Sequence, residues 1–316
     1  MARDIDSAVD LGGFTLKNPV IAASGCYNRG AEYGVVVDVS AWGAVTLKSV
    51  AWEARLGNEM PRVANTPAGM LNAIGLQGPG IEHFLKTEAP KLADVPTAVI
   101  ASVAGFTVDE FAAVAARIDG LPNVVAIELD ISCPNVESEG GACFAADPEM
   151  AAAVIRAVKR RTSLPIVAKL TPNVTDLRPI ARSAEAAGAN ALSLINSVRG
   201  MVIDVERLRP MLANGMGGLT GPAIRPIGIA AVWEVAQVVK IPIVGMGGIE
   251  SGRDALEFML AGASAVSIGT AVFRDPQAHI HVARSLSEAA ARRGLTSVRG
   301  LTGLANPKFA AHVVRS

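Results

Sequence analysis

Eight apolar segments of strand length recur along this chain, and segments with helical periodicity separate most of them. The predicted strands cover residues 19–23, 44–47, 97–103, 124–131, 165–170, 191–195, 242–245 and 265–268. The predicted helices cover residues 108–118, 148–161, 176–187, 224–239 and 252–260. Most of the strands are apolar on both faces, as is typical of parallel strands that helices cover on both sides. This order of elements favours a (β/α)8 barrel over a doubly wound parallel sheet.

Two further features support the barrel, and a third predicts an additional element at its floor. The segments LPIVAKL (164–170) and IPIVGMGG (241–248) resemble each other, as repeated barrel units often do. The 316 residues fit one barrel of about 250 residues with insertions, so we expect a single domain over residues 1–316. Residues 9–16 place Gly12 and Gly13 between apolar stretches, which predicts a short N-terminal β-hairpin on the barrel floor.

The composition excludes several classes of protein. Hydrophobic residues make up 50% of the chain and charged residues 18%, unlike a disordered chain. The 29 basic and 29 acidic residues leave no net charge, which disfavours a nucleic-acid partner. Three cysteines cannot form a disulfide framework, no apolar run reaches the roughly 18 residues of a membrane span, and residues 1–10 lack the apolar core of a signal peptide. We therefore expect a cytoplasmic protein without a membrane partner.

Polar residues and glycines interrupt the apolar strands mainly at their carboxyl ends. In a (β/α)8 barrel these ends meet on one face, and that face carries the active site. The residues concerned are Ser24, Lys48, Ser49, Ser102, Asp130, Cys133, Lys169, Asn196, Ser197, Gly247, Gly248, Gly269 and Thr270. The sequence therefore predicts a ligand site on this face.

Two lysines and two pairs of residues suggest what this ligand is. Lys48 and Lys169 end barrel strands, where a charge is costly unless it is paired. They form either buried ion pairs or contacts to an anion or a polarised oxygen. Gly247-Gly248 and Gly269-Thr270 follow the seventh and eighth strands, where this fold often binds phosphate. Tight turns would also explain the glycines, but two such sites together favour a phosphorylated ligand.

Cys133 opens a polar, glycine-containing segment after the fourth strand, which predicts a substrate loop. A free cysteine is usually a buried hydrophobe, but Pro134 and the polar neighbours argue against deep burial here. No histidine is placed to activate the thiol, so a general base fits better than a nucleophile paired with histidine. Cys26 and Cys143 are interpreted as packing or incidental residues.

Residues 68–77 follow the second strand and mix Asn72 and Gln77 with glycines and small apolar residues. This composition predicts a loop whose backbone N–H groups meet a carboxylate. An ordinary surface loop is the alternative, although such loops are usually more polar.

These segments together resemble the class 1 dihydroorotate dehydrogenases from Asn18 to Pro276. The matching motifs are PVIAASG, TLKSV, GNEMPRV, AGMLNAIGLQ, ISCPNV, VAKLTPNV, INSVRGM, ANGMGGLTGPAI, PIVGMGGI and GASAVSIGTAVF. Residues 200–224 are most similar to the class 1B catalytic subunit. The resemblance implies an FMN-containing (β/α)8 barrel that oxidises (S)-dihydroorotate to orotate in pyrimidine biosynthesis. It also implies a homodimer that forms a heterotetramer with an electron-transfer subunit, whose FAD and iron–sulfur cluster pass electrons to NAD+. No metal is expected in this chain.

The resemblance also implies a role for individual residues. The FMN contacts would be Ser24, Lys48, Ser49, Ser102, Asp130, Lys169, Ile195, Gly221, Gly247, Gly248, Gly269 and Thr270. The substrate contacts would be Lys48, Asn72, Ala73, Ile74, Gly75, Leu76, Asp130, Asn135, Asn196 and Ser197. Lys48 and the segment from Asn72 to Leu76 would hold the carboxylate, while Cys133 would take the C5 proton of dihydroorotate.

At two of these positions, Asp130 and Ser102, the family usually has asparagine. An ionised Asp130 can only accept hydrogen bonds, and it would repel an anionic substrate unless it is protonated or paired with a lysine.

The rival functions are a class 1A-like homodimer that uses fumarate, an FMN-dependent enzyme acting on another dihydropyrimidine or on tRNA uridines, and a barrel that binds a phosphorylated metabolite without redox chemistry.

Overall fold

A computed structural model of the protein describes residues 5–30, 32–132 and 144–310. Its strands in chain order are β1 (Val9–Asp10), β2 (Thr15–Leu16), β3 (Val20–Ala22), β4 (Ala44–Thr46), β5 (Val63–Thr66), β6 (Gly69–Asn72), β7 (Ala98–Val103), β8 (Val124–Leu129), β9 (Ile166–Lys169), β10 (Ala191–Leu194), β11 (Val198–Gly200), β12 (Ile203–Asp204), β13 (Arg209–Pro210), β14 (Gly217–Thr220), β15 (Ile243–Met246) and β16 (Ala265–Ile268). Eight of them, β3, β4, β7, β8, β9, β10, β15 and β16, form a closed barrel.

Every pair of neighbouring strands in this barrel is parallel, and each of the eight predicted strands is one of its members. The (β/α)8 barrel is therefore confirmed, and the doubly wound sheet is excluded because the first and last barrel strands pair with each other. The N-terminal hairpin is also confirmed, since β1 pairs with β2 in antiparallel fashion. Its residues Val9, Leu11, Phe14 and Leu16 are buried against the lower barrel interior.

The helices are α1 (Ile81–Thr87), α2 (Val108–Ile118), α3 (Pro148–Lys159), α4 (Arg178–Ala187), α5 (Arg225–Ala236), α6 (Gly252–Ala261), α7 (Ala278–Arg292) and α8 (Pro307–Ala310). The five predicted helices correspond to α2 through α6. Asp147 caps α3 by accepting a hydrogen bond from the Met150 amide at 2.8 Å, with proline as the first helical residue. Gly188 ends α4 with a φ of 99°, a conformation that favours glycine.

Part of the segment predicted as a loop at residues 68–77 is instead a strand. β6 lies in a four-stranded antiparallel sheet of order β11-β14-β6-β5, which we call the outer sheet. The pairing of β6 with β14 requires a close approach at Gly69, because a β-carbon there would lie 1.9 Å from the Thr220 carbonyl oxygen. The local sequence gives no sign of this pairing, since the two strands are far apart along the chain.

The barrel interior changes from apolar at its floor to polar near its carboxyl end. The lower layer contains Ile21, Ala44, Ile100, Ala126, Val167, Ala191, Val244 and Ala265. Side chains two residues further along a strand face the same side. That next layer contains the buried polar residues Thr46, Ser102, Glu128, Lys169, Ser193 and Ser267. A polar layer inside a barrel is costly unless its groups are paired or meet a ligand.

None of the helices in the described ranges combines the length and the apolar character that crossing a membrane requires.

Candidate active site

A cavity of about 360 Å³ lies at the carboxyl end of the barrel. Its floor and walls come from the ends of the barrel strands, and residues of the outer sheet line another side of it. Small-molecule and cofactor sites usually measure about 300–1,000 Å³. The cavity is therefore large enough for a ligand of that class, and it lies on the face that the sequence predicts.

Most of the predicted site residues line this cavity. They are Ser24, Lys48, Ser49, Asn72, Ile74, Leu76, Asp130, Lys169, Ile195, Asn196, Ser197, Gly221, Gly247, Gly248, Gly269 and Thr270. Ser102, Ala73 and Gly75 do not line it: Ser102 is fully buried behind Ser49, and the Ala73 amide donates a hydrogen bond to the Arg62 carbonyl. Cys133 and Asn135 lie outside the described residues, as do Cys143 and the rest of the predicted substrate loop at residues 133–143.

Sequence reasoning missed several residues that line the cavity: Ala23, Gly25, Cys26, Val63, Met70, Thr220, Ile224, Met246, Ile249, Glu250, Ser267 and Phe273. Val63, Met70 and Thr220 belong to the outer sheet, which the sequence did not predict. It also missed the buried Glu128 below the cavity. The one signal for Glu128 is a carboxylate inside an otherwise apolar strand.

The glycines that follow the seventh and eighth barrel strands are needed for different physical reasons. Gly247 and Gly248 have φ values of 119° and 71°, and a β-carbon at Gly248 would lie 2.5 Å from the Gly221 carbonyl oxygen. These two glycines are therefore required by the backbone turn itself. At Gly269 a β-carbon would meet only Cys26 Sγ at 3.7 Å and Ala23 Cβ at 3.8 Å. Glycine at this position keeps space open in the cavity, which a turn alone does not explain.

The two lysines differ in whether they form an ion pair within the described part of the chain. The Lys169 ammonium lies 3.7 Å from a carboxylate oxygen of Glu128, and both side chains are buried. The ion-pair alternative is therefore confirmed for Lys169, which nevertheless lines the cavity. Lys48 makes no ion pair with any residue in the described ranges. Its ammonium is available to an anion in the cavity, where a charge-assisted hydrogen bond would be strong.

Hydroxyl groups connect Asp130 to the neighbouring strands. Ser49 Oγ donates to Asp130 Oδ2 at 3.0 Å and lies 2.9 Å from Ser102 Oγ. Because a serine hydroxyl has a single hydrogen, Ser102 must then donate to Ser49. Ser102 and Asp130 thus belong to one hydrogen-bonded chain through Ser49. The other carboxylate oxygen, Asp130 Oδ1, is buried and has no hydrogen-bond partner among the described residues.

Amide side chains line the cavity near the outer sheet. Asn196 donates to Ser132 Oγ at 2.9 Å and accepts a hydrogen bond from the Ser197 amide at 2.7 Å. Asn72 donates to the Gly218 carbonyl at 3.3 Å. These bonds fix the orientation of two amides, which can both donate and accept hydrogen bonds from a polar ring.

The backbone after Asn72 is held in an uncommon conformation. The side-chain amide of Asn58 donates to the Ala73 carbonyl at 3.0 Å, and its backbone N–H donates to the Ile74 carbonyl at 3.1 Å. Leu76 has a φ of 52°, which is rare for a residue with a side chain. Such conformations occur where surrounding contacts enforce them, and they cluster at ligand sites. Hydrogen bonds therefore hold this segment in a defined conformation at the cavity wall.

Cys26 packs against the barrel core, as predicted, and also lines the cavity. Burial raises the pKa of its thiol to about 11, and this outweighs the opposing attraction of Lys169 and Lys48. The thiol is therefore neutral at physiological pH. A neutral thiol is a poor proton acceptor, so Cys26 is not a candidate base.

Comparison with known proteins identifies relatives over almost the whole chain. A model of the dihydroorotate dehydrogenase family matches residues 7–289. A protein of Desulforudis audaxviator (strain MP104C) is 50% identical over 302 residues, which cover 96% of this chain and 98% of the relative. A protein of Geobacter sp. (strain M21) is 49% identical over 298 residues, covering 94% and 97%. One of Anoxybacillus flavithermus (strain DSM 21510 / WK1) is 54% identical over 269 residues, covering 85% and 86%. All three are named dihydroorotate dehydrogenase B (NAD(+)), catalytic subunit.

Proposed function

The chain belongs to the dihydroorotate dehydrogenase family, and from that premise we propose that it oxidises (S)-dihydroorotate to orotate in pyrimidine biosynthesis, with FMN and its substrate in the barrel cavity. One observation carries the assignment to this cavity. Sixteen residues chosen from separate sequence motifs converge on its walls. In a (β/α)8 barrel the active site lies at the carboxyl ends of the strands, so the meeting of these residues with residues of the outer sheet around one cavity supports this assignment.

The residues present fit FMN. Gly269 leaves space that a side chain would fill, and Gly247 and Gly248 present a bare backbone beside it, which suits a phosphate. Lys169 lies deeper, at the end of β9, where it can face the polar edge of a flavin ring. When bound, FMN supplies the hydride acceptor that no protein side chain provides.

Lys48 is the residue best placed to hold the substrate carboxylate, because its ammonium has no ion pair among the residues described. Asn72, Asn196 and Ser197 would orient the pyrimidine ring through their amide and hydroxyl groups. Fixing the ring relative to the cofactor lowers the barrier by removing the freedom of the reacting groups.

Removal of the C5 proton requires a base, and we assign it to Cys133. The proposal rests on the ISCPNV motif, because Cys133 and its neighbour Asn135 lie outside the described residues. The end of β8, at Leu129, and the cavity-lining Asp130 lead directly into this segment. Cys26, the one thiol within the described ranges, is neutral and cannot take this role.

We also propose that electrons leave through a separate subunit. The relatives are named as NAD(+)-linked catalytic subunits, and the resemblance to class 1B implies a partner with FAD and an iron–sulfur cluster. The assembly would be a homodimer of this chain within a heterotetramer. A homodimer that uses fumarate directly is the alternative.

An acceptor assay tests this function and separates it from the alternative. The purified, FMN-loaded chain should form orotate from dihydroorotate with a soluble dye as electron acceptor. Neither fumarate nor NAD+ should support comparable turnover with the chain alone, and addition of the electron-transfer subunit should confer NAD+ reduction. Turnover with fumarate at the dye rate would contradict the class 1B assignment, and no orotate with any acceptor would contradict the function itself.

A further inference from the structure

Three neighbouring barrel strands place a buried charged group directly below the cavity. Glu128 on β8, Lys169 on β9 and Ser193 on β10 face the barrel interior, with Ser193 paired in register with Lys169. The Glu128 carboxylate lies 3.7 Å from the Lys169 ammonium and accepts a hydrogen bond from Ser193 Oγ at 2.9 Å. We call these three residues the barrel triad.

The barrel triad is asymmetric with respect to the cavity. Lys169 lines the cavity, whereas Glu128 does not. Lys169 is the only cation that pairs with Glu128 within the described ranges, and Glu128 Oε1 is buried without a hydrogen bond there. A ligand bound in the cavity therefore lies closer to the Lys169 side chain than to the Glu128 carboxylate behind it.

A contribution to folding stability is a weak explanation for the presence of this buried ion pair. Removing two charges from water costs several kcal/mol, and apolar residues of similar volume often replace a buried ion pair without loss. A site that needed only a cation at the cavity floor would not need the carboxylate below it. The position of Glu128 points to a role in setting how strongly Lys169 acts on the ligand.

We propose that Glu128 is a positioning residue that offsets the charge of Lys169 and thereby lowers the reduction potential of the bound flavin. This inference rests on the proposed function. The oxidised flavin ring is neutral, and the charges of Lys169 and Glu128 balance each other. Reduction would add negative charge to the ring, and the carboxylate paired with Lys169 weakens the stabilisation that the ammonium would give to that charge. In a buried site of low dielectric this effect is strong.

The test is the midpoint potential of the FMN-loaded Glu128→Gln variant, measured anaerobically against redox dyes. Glutamine keeps the shape of the side chain and can still accept from Ser193, so only the charge is removed. We expect the potential to rise by about 30 mV, which is a tenfold change in the two-electron equilibrium. The wild type and the variant are compared at the same pH. An unchanged or lower potential would overturn the inference.

A double-variant cycle separates action through Lys169 from direct action. Lys169→Gln alone should lower the potential, because the cation at the cavity floor is lost. Adding Glu128→Gln to Lys169→Gln should then shift the potential much less than Glu128→Gln shifts that of the wild type. An equal shift in the two backgrounds would show that Glu128 acts independently of Lys169. If Glu128→Gln alone does not fold, a double variant whose potential exceeds that of Lys169→Gln by about 30 mV would overturn the role through Lys169.

Ser193→Ala is the matched control, because it removes a hydrogen bond from Glu128 without removing a charge. It should move the potential much less than Glu128→Gln. An equal shift would mean that packing below the cavity, not charge, sets the potential. A chain that binds no flavin would contradict the proposed function, whereas a flavoprotein with unresponsive potentials would contradict only the role of Glu128.

Discussion

Replacement of Cys133 by alanine should slow dihydroorotate oxidation by about 10² to 10⁴-fold, the usual cost of losing a general base, while FMN stays bound. The C5 proton is only weakly acidic, so the reaction needs a positioned base. Cys26 cannot compensate, because burial raises the pKa of its thiol to about 11 and keeps it protonated. The measurement is the single-turnover rate of flavin reduction by dihydroorotate under anaerobic conditions.

Cys143→Ala is the matched control, because it removes a second thiol from the same stretch of sequence. It should reduce flavin at close to the wild-type rate. Cys133→Ser should be nearly as slow as Cys133→Ala, because a hydroxyl is a much weaker base than a thiolate. Near-normal rates in Cys133→Ala would remove this residue from the mechanism and require another base.

Replacement of Lys48 by methionine should weaken orotate binding by roughly 10- to 100-fold. The physical reason is the loss of a charge-assisted hydrogen bond to a carboxylate, worth about 1.5–3 kcal/mol. Lys48 lines the cavity and makes no ion pair among the residues described, so no described carboxylate competes for its charge. Binding is measured by the change in flavin absorbance on titration with orotate, after the FMN content of the variant has been checked.

A ligand without the carboxylate provides the internal control. Uracil binding should be much the same in Lys48→Met and in the wild type, because uracil offers no carboxylate to lose. Lys91→Met is the control for the loss of a surface lysine, since Lys91 pairs with Glu88 away from the cavity. Equal losses for orotate and uracil would mean that Lys48 supports the cavity generally and does not recognise the carboxylate.

The barrel could be predicted from the sequence because its signals are local. Each barrel strand is a short apolar run, and the caps of α3 and α4 stand in the sequence as Asp147-Pro148 and Gly188. The outer sheet could not be predicted in this way. Its central pairing joins Asn72 to Gly218, and the register of such a pairing depends on contacts between distant segments.

The site was predictable to the extent that it follows the ends of the barrel strands. That rule finds the cavity residues Lys48, Asp130 and Lys169, because parallel strands bring their carboxyl ends to one face. It misses Glu128, which lies inside β8 and acts from below the cavity. It also misses the hydrogen bond that joins Ser49 to Asp130, since side-chain contacts between strands have no local sequence signal.

An anaerobic absorbance spectrum of the purified chain, recorded before and after addition of dihydroorotate, tests the central claim most directly. The account predicts a flavin spectrum that bleaches on addition, because substrate oxidation and FMN reduction occur together in the barrel cavity. A flavin that stays oxidised would contradict the substrate assignment and direct attention to Asp130, where the resemblance implies asparagine. A colourless protein that cannot be reconstituted with FMN would contradict the account as a whole.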